Sequence, residues 1–104
     1  MALSDHYPDQ ICNLPEFEGQ FDARKLSAEN CDVLFATYPA GTVIDAHRHD
    51  TDNVGIITKG ALVLTMDGES KTLSTGQWYH VPAQKEHSAE FLEDSCEIEF
   101  WFVA

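Results

Sequence analysis

The sequence is poor in positive charge: Lys and Arg total 6 of 104 residues against 18 Asp and Glu, a formal net charge of −12. Contacts to nucleic-acid phosphates need a basic face, so a nucleic-acid partner is not expected. The same balance argues against an anionic membrane surface. Long apolar runs are also missing, and nothing approaches the ~18 residues of a membrane-crossing helix. The opening Met-Ala-Leu-Ser-Asp-His-Tyr-Pro has no basic segment followed by an apolar one, so no secretory leader is expected. Cysteine is scarce and odd in number. Cys12, Cys31 and Cys96 contain no Cys-x-x-Cys, which argues against a disulfide framework and for a reducing, cytoplasmic setting. Each reads as a small buried hydrophobe. Amphipathic helical spacing, linkers and low-complexity stretches are lacking too.

What is present is a succession of short extended segments. Residues 1–20 read as a non-repetitive arm, broken by Pro8, Pro15 and Gly19, that packs on the body of the chain or on a second subunit through Ile11, Leu14 and Phe17. Residues 21–104 read as one domain, a length that suits a single core. Strands are expected at 21–27, 31–38, 42–49, 53–58, 61–66, 69–74, 77–81, 87–93 and 96–103. The turns between them carry the expected residues, with Asp67-Gly68 the strongest hairpin signal. Strands recurring at this spacing indicate an all-β sandwich or barrel.

The stretch Gly41–Gly60 holds His47 and His49, one residue apart. On an extended strand such residues project to the same side, which lets two imidazoles converge on one metal ion. A second Gly-led block, Gly76–Phe91, contributes His87 just after a loop. Together the two blocks resemble the motifs of the cupin superfamily. Gly41, His47, His49 and Gly60 fall at the spacing of the first motif, and Gly76, Pro82 and His87 at that of the second. The resemblance covers about residues 31–103. It implies a double-stranded β-helix (jelly-roll) cupin barrel with a metal held inside its mouth by His47, His49 and His87.

Three positions depart from the family pattern. Gln84 stands where the second motif has Gly and affects the loop. Phe91 replaces its final Asn and continues an inward face of His87, Ala89 and Phe91. Asn53 occupies the position of the acidic metal ligand, and its amide oxygen is a weak, neutral donor. Asn53 shares strand parity with His49, whereas Asp50 and Asp52 need a bulge to supply a carboxylate instead. Three neutral imidazoles leave the ion its full charge and open positions, a state that favours a small anionic ligand such as a carboxylate or an enolate. Such a donor set suits Fe, Mn, Ni, Zn or Cu.

His80, at the parity of Pro82, is expected to face the barrel interior. There it is either a catalytic acid/base or substrate anchor, or a hydrogen-bonded core histidine. Tyr38 and Trp78 are candidates for the pocket wall or for ordinary core. In the last strand Ile98, Phe100 and Phe102 alternate with Glu97, Glu99 and Trp101, so both faces carry bulk. One face can fill the barrel. The other, with Trp101 and Val103, needs cover from the arm or a second subunit, and a homodimer is expected. Two functional classes stay in view: a metal-dependent enzyme (dioxygenase, lyase or isomerase), or a metal- or metabolite-binding module without turnover.

Overall fold

The structure is a computed structural model that describes residues 1–19 and 21–103. Gln20, the end of the expected arm, and Ala104 lie outside the described residues. Among the described residues nine strands follow one another: β1 (Asp22–Ala28), β2 (Cys31–Tyr38), β3 (Val43–His47), β4 (Thr51–Lys59), β5 (Ala61–Met66), β6 (Glu69–Ser74), β7 (Trp78–Val81), β8 (His87–Phe91) and β9 (Ser95–Val103). They form a five-stranded sheet in the order β1-β2-β9-β4-β7 and a four-stranded sheet in the order β3-β8-β5-β6. All pairings are antiparallel. The two sheets face each other as a jelly-roll barrel. Among the described residues no helix is long and apolar enough to cross a membrane.

Local sequence accounts for the turns. Asp67 and Gly68 both adopt positive φ (55° and 76°), the geometry of a two-residue hairpin that matches strand twist, and they join β5 to β6. Gly60 joins β4 to β5 at φ 87°, and a Cβ there would meet Ser95 Oγ at 2.2 Å and the Asp94 carbonyl at 2.6 Å, so the position admits glycine alone. Between the sheets, Tyr38 stacks on Phe91 with ring centroids 3.9 Å apart, and Ile57, Leu62 and Leu73 are fully buried beside them.

Residues 1–19 lie against the barrel, with the Tyr7 hydroxyl donating to the Ala36 and Glu97 carbonyls at 3.0 Å. A 3-10 turn at Leu3–Asp5 and a single helical turn, α1 (Asp9–Cys12), precede a short bridge between Glu16 and Arg24 on the edge of β1. Phe17 stacks on Phe21 and meets Trp101 edge-on, both at 5.7 Å, while Phe21 leans on Tyr38 at 4.6 Å.

Two expectations about facing are corrected. Cross-strand partners share a face of the sheet. Asn53 and Ile57 on β4 are buried inward, and Asn53 pairs with Val81, Gly55 with Tyr79. Val81 and Tyr79 therefore point in, and His80 and Trp78, opposite Val54 and Ile56, point out. His80 is exposed and pairs with Asp52 at 2.8 Å. Trp78 is 54% exposed and stacks on Phe100 at 6.2 Å, outside the barrel. The phase of β9 also differs from the polar-out default. Glu97 (2% exposed) and Glu99 (8%) face inward with Trp101, while Ile98, Phe100 and Phe102 join Val33, Phe35, Val54 and Ile56 on an apolar outer face.

Candidate metal centre

The barrel mouth gathers the three histidines of the two sequence blocks. His47 closes β3 and lies directly opposite His87, the first residue of β8, after a register shift between Ile44 and His47. His49 follows the end of β3, so strand parity alone does not aim it. Its carbonyl accepts a 2.7 Å hydrogen bond from the Gln84 N–H, which ties the loop of the second block to the chain of the first. Gln84 holds φ at 66°, so it keeps the backbone of the glycine it replaces.

The rings are placed so that they could hold one ion. His47 Nδ1–H donates to the Asp45 carbonyl at 2.8 Å, and His87 Nδ1–H donates to the Lys85 carbonyl at 2.9 Å. Each bond leaves Nε2 as the free lone pair, the usual outer support of a metal-binding imidazole. The Nε2 atoms of His47 and His49 are 2.9 Å apart. Two nitrogens each about 2.1 Å from one ion and at right angles lie about 3 Å apart. One ligand atom from each of the three histidines lies within 4.8 Å of the others. Burial and the neighbouring His47 and His87 push His49 down to about 4, and burial, opposed by the Lys85 carbonyl, lowers His87. Both rings are neutral at neutral pH, the protonation state that binds metal. The donor set therefore fits a divalent transition ion.

Behind the histidines the barrel encloses a cavity of about 210 Å³. A model of the cupin domain matches residues 34–103, two thirds of the chain. The chain is a cupin. No curated protein matches it by sequence. Solved structures share its fold. KdgF from Halomonas sp. is 23% identical with a TM-score of 0.77, covering 88% of this chain and 86% of that one. An RmlC-like cupin from Shewanella frigidimarina is 19% identical at TM-score 0.80, covering 94% and 88%. A structure described as a putative mannose-6-phosphate isomerase from Ralstonia eutropha is 13% identical at TM-score 0.75, covering 94% and 98%.

In this cupin the expected site residues divide. His47, His49, His87, Asn53 and Tyr38 line the cavity, whereas His80 and Trp78 do not. Asn53 is buried, and its Oδ1 accepts the Thr51 hydroxyl at 2.6 Å. Asp50 is exposed and Asp52 is engaged by His80, so neither joins the histidine cluster.

Four cavity residues escape a reading of the sequence as a place for chemistry: Tyr79, Glu97, Glu99 and Trp101. Tyr38 Oη–H donates to Glu99 Oε2 at 2.5 Å, and Trp101 Nε1–H donates to Glu99 Oε1 at 3.0 Å. Tyr79 Oη–H donates to Glu97 Oε1 at 2.5 Å. Tyr79 reaches Glu97 by lying across Gly55, where an added Cβ would sit 2.3 Å from its ring. Burial raises the Glu97 carboxyl well above the usual range and the adjacent Glu99 raises it further. Burial also raises Glu99, opposed by its hydrogen bonds from Tyr38 and Trp101. Trp101 completes the link between the two groups by packing on His49 with ring centroids 4.6 Å apart.

Proposed function

We propose that this cupin binds a divalent transition metal (Fe, Mn, Ni, Zn or Cu) through His47, His49 and His87. In this reading the protein is an enzyme of the dioxygenase, lyase or isomerase class acting on a small anionic metabolite. The observation that carries the proposal is the convergence of the three imidazoles, with two Nδ1–H groups anchored on backbone carbonyls. The metal would act as a Lewis acid on a carboxylate or enolate oxygen. Asn53 supplies an amide oxygen at the cavity wall, as a weak fourth donor or as a ligand contact. Tyr38 stacks on Phe91 in that wall, and the apolar lining excludes water around a bound molecule.

The test is metal content of protein purified without chelator, measured by plasma mass spectrometry for wild type and His47→Ala. Loss of nearly all bound metal in the variant is expected. Equal metal in both sinks the site.

One observation favours a second reading, a binding or sensor module without turnover. His80, the expected proton carrier, lies outside the barrel and pairs with Asp52. Turnover assays across Fe, Mn, Ni and Zn forms and a panel of small acids separate the two readings.

We also infer a homodimer. The outer face of the five-stranded sheet is apolar, and the arm covers only part of it, through Tyr7 set edge-on to Phe35 at 5.9 Å. Leu26, Trp78 and Phe102 stay 42–54% exposed. A second copy seated there would bury them. Light scattering at micromolar concentration should give twice the chain mass, shifting to the monomer in Trp78→Lys. A wild-type monomer ends the idea.

A further inference from the structure

The buried acid pair on β9 has no part in ligating the metal as read above, yet it shares the cavity with the histidines. We propose that Glu97 and Glu99 are held as one neutral carboxyl and one carboxylate, and that the charge on Glu99 is the resident counter-charge of the metal centre. The proposal rests on the metal-binding reading and adds a role for residues that neither cupin motif contains.

The geometry assigns the charge. Glu97 and Glu99 are two residues apart on the inward face of β9, and both are almost wholly buried. Two carboxylates side by side in an enclosed, largely apolar space cannot both ionise. Trp101 Nε1–H can only donate, so Glu99 Oε1 must accept. The Tyr38 hydroxyl occupies the second oxygen of Glu99. Glu97 receives one donor, Tyr79 on Oε1, against two on Glu99, so the less supported Glu97 keeps the proton. The titratable groups facing the pair are Tyr38 from β2, Tyr79 from β7 and His47 from β3. Both tyrosines are held neutral by burial and act as donors.

The pair thus carries a single negative charge, spread over a fixed set of donors. Most of these donors are placed by strands remote from β9 in sequence. Three neutral imidazoles and a neutral Asn53 leave a bound ion its full charge of two. A carboxylate on the opposite wall halves that net charge without taking a coordination position. In an enclosed cavity the attraction is weakly screened. Metal affinity is raised while the open positions stay free for a ligand.

The two acids are close in size and burial but unequal in charge, which gives the test its asymmetry. Zn²⁺ affinity is measured by competition with a chromophoric chelator for wild type, Glu99→Gln and Glu97→Gln. Glu99→Gln removes the charge and should weaken binding about tenfold or more. Glu97→Gln replaces a neutral donor with another and should stay within about twofold of wild type. Equal affinities in all three proteins, equal losses in the two variants, or a larger loss in Glu97→Gln each overturn the assignment. A wild-type chain that binds no Zn²⁺ overturns the metal reading itself and this proposal with it.

A second measurement holds should Glu99→Gln not fold. Infrared spectra of the metal-free wild type at neutral pH should show the C=O band of a protonated carboxyl, and Glu97→Gln should lack it. No such band in wild type, or a band that survives in Glu97→Gln, overturns the proposal.

Discussion

The two walls of the cavity are built by different means. The histidine wall comes from β3, β8 and the short segment after β3, and its members fall at fixed intervals inside two compact blocks of sequence. The acid wall joins Tyr38 on β2, Tyr79 on β7 and Glu97 and Glu99 on β9, with the Tyr38–Glu99 bond closing 61 residues of chain. Ligand spacing within a block is a local property, fixed by strand and loop geometry. A hydrogen-bonded acid pair across three strands depends on sheet order and on the phase of each strand. The first kind of site can be read along a chain, and the second only after the chain is folded.

The acid wall can be broken while the histidines are left untouched. Gly55→Ala puts a methyl where the Tyr79 ring lies, forcing the ring off Glu97. Overpacking together with the lost donor should cost about 2–4 kcal/mol in urea unfolding. A loss below about 0.5 kcal/mol would show that Tyr79 is not held as described.

A pH series sharpens the contrast, because the two walls titrate in opposite senses. His49 is lowered in the folded chain, so the unfolded chain binds the extra proton between about pH 4 and 6.5. Its contribution is intact above that window and is lost as pH falls through it. Glu97 is raised, so the folded chain keeps a proton that the unfolded chain releases above about pH 4.5. That stabilisation is present below pH 4.5 and is lost as pH rises toward the raised value. Melting temperatures of the metal-free protein should fall on both sides of an optimum. Glu97→Gln should flatten the alkaline limb and leave the acid limb, and an unchanged alkaline limb would contradict the assignment.

The smallest effect lies at the link between the two sequence blocks. Gln84→Gly relieves a left-handed residue while keeping the N–H bonded to His49, and should stabilise the chain by up to about 1 kcal/mol. Destabilisation on chemical unfolding would mean that the Gln84 side chain holds the loop.

Much of the fold is legible in the sequence. Each of the nine expected strands has its counterpart within about two residues at most ends, the Asp67-Gly68 hairpin forms, and the three histidines meet. Facing is less legible. His80 and Trp78 take their side from pairing with β4, and Pro82 gives no hint of it. The phase of β9 is ambiguous along its own length, because Ile98, Phe100 and Phe102 and the Glu97, Glu99, Trp101 set both carry bulk. A signal does exist one strand away. With Asn53 inward, Val54 and Ile56 must face out, so the exterior of this sheet is already apolar and the polar-out rule has no force there.

The segment that caps the cavity carries a consequence of its own. Phe17 and Phe21 line the cavity, yet both precede the residues that match the cupin domain, 34–103. Part of the cavity wall thus comes from a stretch ahead of the residues matched by the cupin-domain model. Exchange of a short leading peptide can reshape this wall of the cavity while His47, His49 and His87 stay as they are. A truncation that removes Phe17 takes away both part of the cavity wall and the aromatic cover on Trp101.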